Sequence, residues 1–376
     1  MPLTSAENSL VARAADLVRD HVTPHAALWE RERRIGHEAL AAAVELGLTR
    51  LQVPLAFGGL ELSFSCKAQL AEVLAAGDFG FTMSLINTHN VAAKLARDAQ
   101  PALAQRHVPE LMAGRRLGCT ALTEPGAGSD FAAIQTLARR DGDGWRIDGA
   151  KAWITNAAQA DLVVLFAQTE AGAGARGIAC FLVDGRREGF VREPAYELGG
   201  QHSIGTGGFR LQGYRAQADE LLHPAGQAFK RALGSINGAR TYIAAMCCGM
   251  VGECLRVATQ FGRQRHSFAR PLFDHQGWRW RLAEAASELA ACRLMVAAAA
   301  EHIDAGRDAQ LPAAQAKLLA TRMAERHIGA LAQAMGAEGL REQHPFSRHA
   351  VGARVAGFVD GSSEMLLERI CAVMRA

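Results

Sequence analysis

The sequence lacks the features that mark membrane-spanning, secreted and zinc-binding proteins. No uncharged run reaches the roughly 18–20 residues that cross a bilayer, and residues 1–20 have no basic start followed by an apolar core, as a signal peptide has. The eight cysteines form no Cys-x-x-Cys pair and no Cys/His cluster with zinc spacing. We therefore expect a cytoplasmic protein without a metal site, whose reduced thiols are mostly buried.

An excess of charge of one sign is missing as well. The 41 basic and 38 acidic residues leave a net charge of +3, which gives no reason to expect a nucleic acid or a membrane surface as a partner. Apolar residues make up 49% of the 376 positions and charged residues 21%. This balance predicts a large core, and the length allows two or three structural units.

Hydrophobic spacing divides the chain into three parts. Residues 1–117 show helical spacing, as between Leu10 and Ala14. Residues 118–222 contain short β-rich runs separated by Gly and Asp, and residues 223–376 return to long helical patterns. We predict an α+β fold with an N-terminal helical domain, a middle antiparallel β-barrel or sandwich domain and a C-terminal four-helix bundle.

The first segment that suggests chemistry is residues 123–130, Thr-Glu-Pro-Gly-Ala-Gly-Ser-Asp. Gly126 and Gly128 let the backbone approach a ligand and permit positive φ. Successive N–H groups in such a loop form an anion nest, and Ser129 adds a hydroxyl donor. The same residues also suit an ordinary turn. The segment is not the dinucleotide fingerprint of a βαβ unit, because no helix–strand alternation follows it.

The second segment, residues 151–156, reads Lys-Ala-Trp-Ile-Thr-Asn. On a strand, Trp153 and Thr155 lie on one face because side chains alternate, and Thr123 approaches from the neighbouring segment. A tryptophan between small hydroxyl and amide groups suits a planar, electron-accepting ring with a phosphate tail. The alternative is a tryptophan that packs beneath a β-barrel and binds no ligand.

Three further elements lie downstream of these segments. They are Arg-x-x-Phe with a later Gln at Arg265, Phe268 and Gln276, Gln-x-x-Gly at Gln333 and Gly336, and Asp-Gly-Ser-Ser-Glu at residues 360–364. In order and spacing, the five elements resemble the acyl-CoA dehydrogenase flavoproteins over nearly the whole chain. The resemblance implies FAD as the cofactor.

The resemblance also implies how each matched position serves FAD. One group lines the flavin and its phosphates: Leu122, Thr123, Gly128 and Ser129. A second group flanks the isoalloxazine ring: Trp153 and Thr155, with Thr155 near its reactive N5. A third group reaches the FAD of a neighbouring subunit, which implies a homo-oligomer, dimer or tetramer: Arg265, Phe268, Gln276, Gln333 and Gly336. Ser362 keeps the hydroxyl of a flavin-contacting position, and Glu364 places a charge where the family often has Gln.

The family removes a proton from the α carbon of an acyl thioester while a hydride leaves the β carbon for flavin N5. The thioester is carried by CoA or by an acyl carrier protein, and an electron-transferring flavoprotein or O2 accepts the electrons. The usual base is Glu, whereas this chain has Asp360. Either Asp360 is the base and the backbone or substrate closes roughly 1–1.5 Å, about one C–C bond, or it is only a turn residue before Gly361.

Two more positions bear on the reaction. Ala239 stands where some family members carry their base on the long helix, so that alternative base is absent. Arg240 matches an arginine that positions the thioester, although the residue also suits an ordinary helix surface. Gly361 is implied in substrate binding, because backbone N–H groups near Asp360 and the flavin 2′-hydroxyl stabilise the developing oxyanion in this family.

The chain departs from the family at several places. Val351-Gly352 replaces a frequent Arg-Asp pair, and Gln201-His202-Ser203 stands where Arg-x-Ser is frequent. These changes predict a divergent branch, similar to the acyl-carrier-protein dehydrogenases of secondary metabolism. The leading hypothesis is FAD-dependent α,β-dehydrogenation of an acyl thioester. The alternatives are a flavin oxidase or monooxygenase of the same fold, since nitroalkane oxidases resemble this chain in having Asp at the base position, and a binding protein without catalysis.

Overall fold

The N-terminal part of the protein is helical. The computed structural model describes residues 2–374. Thr4 caps the first helix, because its hydroxyl accepts from the Glu7 N–H while the Glu7 carboxylate accepts from the Thr4 N–H. The elements of this part are α1 (Ser5–Leu17), a π-helical turn (Val18–Val22), α2 (Ala26–Glu32), α3 (His37–Glu45), α4 (Phe64–Gly77), α5 (Phe79–Asp98) and α6 (Pro101–Met112).

The middle part is one eight-stranded sheet. Its strands are β1 (Gly118–Ala121), β2 (Leu137–Asp141), β3 (Gly144–Ile154), β4 (Leu162–Gln168), β5 (Ile178–Asp184), β6 (Phe190–Ala195), β7 (Gly207–Ala216) and β8 (Leu221–His223). The spatial order is β6-β7-β3-β2-β4-β5-β8, and β1 also pairs with β4. Both faces of the central strands are covered, since every residue of β4 is buried.

Two pairings of the sheet depart from the predicted antiparallel arrangement. β1 and β2 both run parallel to β4: Gly118 pairs with Leu162 at one end, and Leu137 pairs with Gln168 at the other. The physical reason is that residues 122–136 carry the chain from β1 to β2 without reversing its direction. The two strands therefore lie end to end along one side of β4, and the segment between them leaves the sheet.

The C-terminal part is again helical. Its elements are α7 (Ala228–Gln264), a two-stranded hairpin of β9 (His266–Ser267) and β10 (Arg270–Pro271), α8 (Gln276–Asp304), α9 (Gln310–Ala334), α10 (Phe346–Phe358) and α11 (Ser363–Met374). Helices α7, α8 and α9 pack against one another, and α4 of the first part packs onto α7. The N-terminal and C-terminal helices thus share one hydrophobic core.

Helix α7 is the centre of that core. Residues 239–251 are all buried. By length and composition the helix could cross a membrane, with a mean hydropathy of 1.3 in its most apolar window, but 72% of that window is buried inside the protein. A helix that is apolar on every side is typical of the middle of a helical bundle.

The predicted fold class is confirmed: the protein has a helical N-terminal part, a β middle part and a helical C-terminal part. The predicted state of the cysteines also agrees with the structure. All eight are free, seven of them are buried, and Cys371 is exposed.

Candidate active site

A buried ion pair anchors residues 123–130, which we call the glycine loop. Lys151 of β3 donates from Nζ to Glu124 Oε1 at 2.8 Å and to the Leu122 carbonyl oxygen at 2.9 Å. The Glu124 carboxylate also accepts from the N–H groups of Gln135 and Thr136 at 2.6 and 2.9 Å. One buried carboxylate and one buried ammonium group therefore hold the start of the loop and connect it to the chain at residues 135–136, beyond its end.

The electrostatics of this pair agree with its burial. Burial opposes ionisation of the Glu124 carboxyl, but the charge of Lys151 and the hydrogen bonds outweigh it and lower the pKa of Glu124. Burial lowers the pKa of Lys151 to about 8, although the Glu124 charge acts in the opposite direction. A movement of the loop would therefore separate these two buried charges.

The two glycines of the loop face open space. A Cβ atom added at Gly126 or Gly128 would meet no other atom within 4 Å. Neither glycine has a positive φ, so the structure does not use the left-handed backbone that glycine permits. Their use is instead the absence of a side chain, which leaves the backbone N–H groups accessible to a ligand. Gly128 and Ser129 are both exposed.

The segment at the end of β3 is a bulge and not a regular strand. The β3–β7 register shifts between Lys151 and Ile154, and Trp153 has φ of +60°. The Trp153 ring is 61% exposed and lies edge-on to Tyr196, with ring centroids 4.9 Å apart. The alternative of a tryptophan buried beneath the β domain is thereby excluded. Thr155 is partly buried, and the Thr123 carbonyl oxygen accepts from the Ala152 N–H at 3.1 Å.

A second group of predicted residues lies at one end of the helical bundle. Phe268 is at the tip of the β9–β10 hairpin, where it has φ of +50° and is 91% exposed. Trp278, in the first turn of α8, joins that helix to the end of α9, because its Nε1 donates to the Ala334 carbonyl oxygen at 2.8 Å. The predicted residues of this end are all exposed: Arg265, Phe268, Gln276, Gln333 and Gly336.

Residues 360–362 follow helix α10, and we call them the catalytic loop because they contain the predicted base. Asp360 has φ of +54° and Gly361 has φ of +102°. Arg240 of α7 donates from Nε to the Asp360 carbonyl oxygen at 3.1 Å, and Lys317 of α9 donates from Nζ to the Gly361 carbonyl oxygen at 2.6 Å. A Cβ atom on Gly361 would lie 3.3 Å from Nη2 of Arg240, so only glycine leaves the arginine in place without a shift. Arg240 is therefore a buried residue of the site, which excludes the alternative of a helix-surface arginine.

The charge state of Asp360 follows from its surroundings. Burial raises the pKa of its carboxyl, and the charges of Lys317 and Arg240 lower it in part. The Lys317 side chain is itself buried, which lowers its pKa to about 8 against the opposing effect of Asp360. A carboxylate whose proton affinity is increased by desolvation and moderated by two cations suits proton abstraction near neutral pH.

Ser362 and Glu364 lie at the start of α11. The Ser362 hydroxyl accepts from the Met365 N–H at 3.5 Å, which is the geometry of a helix N-cap. Glu364 is exposed in the first turn of the helix. Its pKa is lowered by backbone and Ser362 hydrogen bonds. Within residues 2–374, no hydrogen bond, ion pair or ring contact joins these two residues to the glycine loop or to Trp153.

Gln201 connects the β domain to the helix that ends at the catalytic loop. Its Nε2 donates to the Arg348 carbonyl oxygen of α10 at 2.8 Å, and its backbone is left-handed with φ of +62°. The neighbouring His202 bonds through Nδ1 to Glu30 at 2.8 Å. The glutamine that replaces the family's frequent arginine therefore has a structural role between two domains.

Three domain models of one family together match nearly the whole chain. They are the N-terminal domain of acyl-CoA dehydrogenase at residues 4–115, its middle domain at residues 119–214 and its C-terminal domain at residues 226–374. The chain belongs to the acyl-CoA dehydrogenase family. Its members are flavin-dependent oxidoreductases that act on CH–CH bonds.

Individual members of the family agree with this assignment. Mitochondrial short-chain specific acyl-CoA dehydrogenase of Bos taurus is 31% identical, over 93% of this chain and 85% of the relative. Glutaryl-CoA dehydrogenase of Desulfococcus multivorans is 29% identical, over 93% of this chain and 91% of the relative. The structure of butyryl-CoA dehydrogenase from Megasphaera elsdenii matches with a TM-score of 0.95 at 26% identity and covers 100% of both chains.

FAD is the cofactor of this acyl-CoA dehydrogenase family member. A glutaryl-CoA dehydrogenase from Mycobacterium smegmatis, 25% identical with a TM-score of 0.93 over 99% of this chain and 95% of that one, was solved in complex with FADH2. The residues present fit such a group. The backbone at Gly126 and Gly128 is open to a phosphate, and the exposed Trp153 ring offers a face to a planar ring.

Sequence reasoning missed the charged residues that support this acyl-CoA dehydrogenase site. The chain has only five lysines, and Lys67, Lys151 and Lys317 are all buried. A usable signal was present for Lys317, since Ala313, Ala316 and Ala320 surround it at helical spacing. A lone charge on an apolar helix face indicates a buried partner, which here is the carbonyl of the catalytic loop.

Proposed function

We propose that this protein oxidises the α,β carbon–carbon bond of an acyl thioester, with Asp360 as the base that removes the α proton. One observation carries the proposal. The Asp360 loop is held through two consecutive backbone carbonyls by Arg240 and Lys317, so its carboxylate is positioned without a side-chain hydrogen bond of its own. A turn residue with no chemical task needs no such support.

Asp360 acts by accepting a proton at a carboxylate oxygen. Burial raises its pKa, which increases its basicity, and the nearby ammonium and guanidinium groups keep enough of it ionised to act. Asp360 has a positive φ of 54°, a left-handed backbone conformation that is uncommon outside glycine. Backbone strain of this kind costs on the order of 1–3 kcal/mol and is concentrated at functional sites.

FAD, when bound, supplies the acceptor for the hydride that leaves the β carbon. The residues proposed to hold it are the backbone of the glycine loop, Ser129, Trp153 and Thr155. Lys151 and Glu124 orient this loop through their buried ion pair, and the open space at Gly126 leaves room for a phosphate. The exposed Trp153 would exclude water from one side of the ring.

The exposed hairpin end supports a shared site in a homo-oligomer. A single exposed phenylalanine needs no explanation, but Phe268, 91% exposed at the hairpin tip, shares this exposed end with the other four residues matched to the family's FAD-contacting positions. Within residues 2–374 no hydrogen bond, ion pair or ring contact joins this end to the glycine loop of the same chain. We infer that Arg265, Phe268 and Gln276 contact the FAD of a second subunit.

We propose CoA as the carrier of the acyl group, in line with the names of the similar proteins. No cluster of basic residues that could grip CoA lies beside Arg240 in the sequence, which taken alone favours a carrier protein, but the fold brings basic residues to it from other helices. Burial lowers the pKa of Arg240 and the charge of Arg369 lowers it further, against the effect of Asp360. The charge of Arg240 in turn lowers the pKa of Lys317, so both cations lie near Arg240. Equal rates with acyl-CoA and with the acyl-pantetheine thioester would favour a carrier protein instead.

The decisive test is Asp360→Asn in the FAD-loaded protein. Asn tolerates left-handed backbone as Asp does, so the turn is kept and only the base is removed. Reduction of the flavin by an acyl-CoA, followed by its absorbance, should fall by about 10²-fold or more. Asp143→Asn, in another Asp-Gly turn, is the matched control and should react as the wild type does. An unchanged rate in Asp360→Asn would remove this residue from the mechanism.

A flavin oxidase remains a second candidate, favoured by one observation. The base position holds Asp in place of Glu, and the resemblance links Asp there to nitroalkane oxidation. Oxygen consumption with formation of peroxide, in the absence of any other electron acceptor, distinguishes the two. A dehydrogenase should reduce its flavin with an acyl-CoA and then react slowly with O2.

A further inference from the structure

Lys67 is a buried cation without an acidic partner. It lies on helix α4 and is 4% exposed. Its Nζ donates to Gln52 Oε1 at 3.0 Å and to Asn90 Oδ1 at 2.6 Å. Within residues 2–374 it forms no ion pair with Asp or Glu. Burying an ammonium group beside neutral amides alone is costly, and the pKa of Lys67 falls to about 7 through burial and the charge of Arg97.

Two hydrogen-bond donors of this cluster have no acceptor. An ammonium group has three N–H donors, and Gln52 and Asn90 accept only two of them. The Tyr242 hydroxyl accepts from Asn90 Nδ2 at 3.3 Å, while its own O–H has no acceptor within the described part of the chain. Tyr242 is 6% exposed, and Lys67 Nζ lies 5.4 Å from the centre of its ring. Buried donors are nearly always paired, so this cluster can bind one further acceptor.

The cluster lies next to the catalytic loop. Tyr242 follows two residues after Arg240 on helix α7, and Arg240 holds the Asp360 carbonyl oxygen. Burial is the main cause of the raised pKa of Tyr242, and the charge of Asp360 raises that pKa further. This second effect requires Tyr242 and Asp360 to lie near each other. On the same helix, a Cβ atom at Gly238 would lie 3.2 Å from the Phe64 ring. That ring also faces the Lys67 ammonium, 5.7 Å from its centre.

We propose that Lys67, Asn90 and Tyr242 form the far end of the acyl-binding pocket and select a short acyl thioester whose distal end carries an oxygen acceptor, with a carboxylate preferred. This inference rests on the proposed function, because it assumes that the acyl group lies beside Asp360. A hydrocarbon tail would leave both donors unpaired and the ammonium uncompensated. A distal carboxylate supplies the missing acceptor and the missing negative charge in one group.

The test compares acyl groups that differ only at the distal end. Glutaryl-CoA, 5-hydroxypentanoyl-CoA and pentanoyl-CoA are titrated into the FAD-loaded protein, and binding is measured by calorimetry. We expect the wild type to bind glutaryl-CoA about ten-fold or more tightly than pentanoyl-CoA, with the hydroxyl compound between them. In Lys67→Met, which keeps the volume and removes the charge, the preference for glutaryl-CoA should disappear.

Two further variants show whether the effect is specific to this cluster. Asn90→Leu removes one partner of Lys67 without changing the lysine and should also weaken glutaryl-CoA relative to pentanoyl-CoA. Lys94→Met is the matched control. Lys94 lies one turn after Asn90 on α5 and is already paired with Asp98 at 2.8 Å. It should leave the preference unchanged. FAD content and thermal unfolding show whether each variant is folded.

The contrary outcomes separate this inference from the proposed function. Flavin reduction by all three thioesters, with pentanoyl-CoA bound as tightly as glutaryl-CoA in the wild type, would overturn the role of Lys67 and leave Asp360 as the base. A preference for glutaryl-CoA that persists in Lys67→Met would overturn it in the same way. Failure of every thioester to bind or to reduce the flavin would overturn both proposals.

Discussion

Lys317 donates a hydrogen bond of 2.6 Å from Nζ to the carbonyl oxygen of Gly361. The lysine is wholly buried in helix α9, and the glycine lies in a loop 44 residues later in the chain. Arg240 donates to the carbonyl oxygen of Asp360, so Lys317 and Arg240 together fix the backbone of the loop that carries the Asp360 side chain. Lys317 and Arg240 therefore orient the Asp360 carboxylate through the backbone, without hydrogen bonds to the carboxylate oxygens.

Replacing Lys317 by Met should slow catalysis without displacing FAD. The variant leaves the Gly361 carbonyl without its donor, a loss of about 1–3 kcal/mol for a buried group, and the Asp360 loop gains freedom. We expect flavin reduction by acyl-CoA, measured by stopped-flow absorbance, to fall about ten-fold or more. Lys230→Met, at an exposed lysine, should react normally. Equal rates in both variants would contradict a positioning role.

The rate of flavin reduction should rise with pH through the pKa of Asp360. Burial raises that pKa, so the acid limb of the pH profile should lie above the usual value of about 3.9 for Asp. The base works only when ionised, and the rate is therefore lost as pH falls. Lys317→Met removes a positive charge that favours the carboxylate, which should move the limb to higher pH. A limb that stays in place or moves lower in this variant would be evidence against the assignment.

Breaking the buried pair beneath the glycine loop should destabilise the protein and weaken FAD binding. In Lys151→Met the Glu124 carboxylate remains buried without its cation, which costs about 3–5 kcal/mol of unfolding free energy. The double variant Lys151→Met/Glu124→Gln should recover part of this loss, because no uncompensated charge remains. Denaturant unfolding and FAD titration measure both effects.

A control for the glycine-loop variant is available at the surface. Glu110→Gln breaks the exposed pair with Arg115 and should leave both stability and FAD affinity unchanged. The argument fails if Lys151→Met unfolds at the same denaturant concentration as this control.

Gly361→Ala should impair the reaction more than its effect on stability explains. The substitution places a Cβ atom 3.3 Å from Arg240 Nη2 at a residue with φ of +102°, so the arginine must shift. Gly142→Ala introduces similar backbone strain at φ of +59° with nothing within 4 Å. Both variants should melt at lower temperature, but only Gly361→Ala should reduce kcat with acyl-CoA. A normal kcat would show that Arg240 can move freely.

Phe268→Ser should lower the affinity for FAD and weaken the association of subunits. The side chain is 91% exposed at a hairpin tip, and within residues 2–374 its one ring contact is an edge contact with His275. Leu55→Ser, at another exposed apolar side chain, is the matched control. Light scattering and FAD titration should change in the first variant alone. Unchanged values in Phe268→Ser would refute a shared site.

The sequence could predict the three-part fold. Residues 1–117 and 223–376, for which helical spacing was predicted, contain helices α1 to α6 and α7 to α11. Hydrophobic periodicity is a local property, so it was sufficient there. It could not show the parallel pairings of β1 and β2, since strand direction depends on how residues 122–136 leave the sheet.

The candidate site was likewise predictable from the sequence only in part. The spacing of the glycine loop, Trp153 and Asp360 is written in the sequence, and it was enough to indicate the family and FAD. The left-handed φ of Trp153 was not predictable, because a strand pattern assumes regular alternation. The bulge depends on the register with β7, which only the folded sheet defines.

The sequence by itself determined the family, the cofactor and the residue at the position of the base, because each depends on the order of residue types along the chain. Only the tertiary structure decided which cations surround the site. Lys67, Lys151 and Lys317 are buried because helices or strands distant in sequence close over them. Their partners lie 23, 27 and 44 residues away, and no local pattern records such contacts.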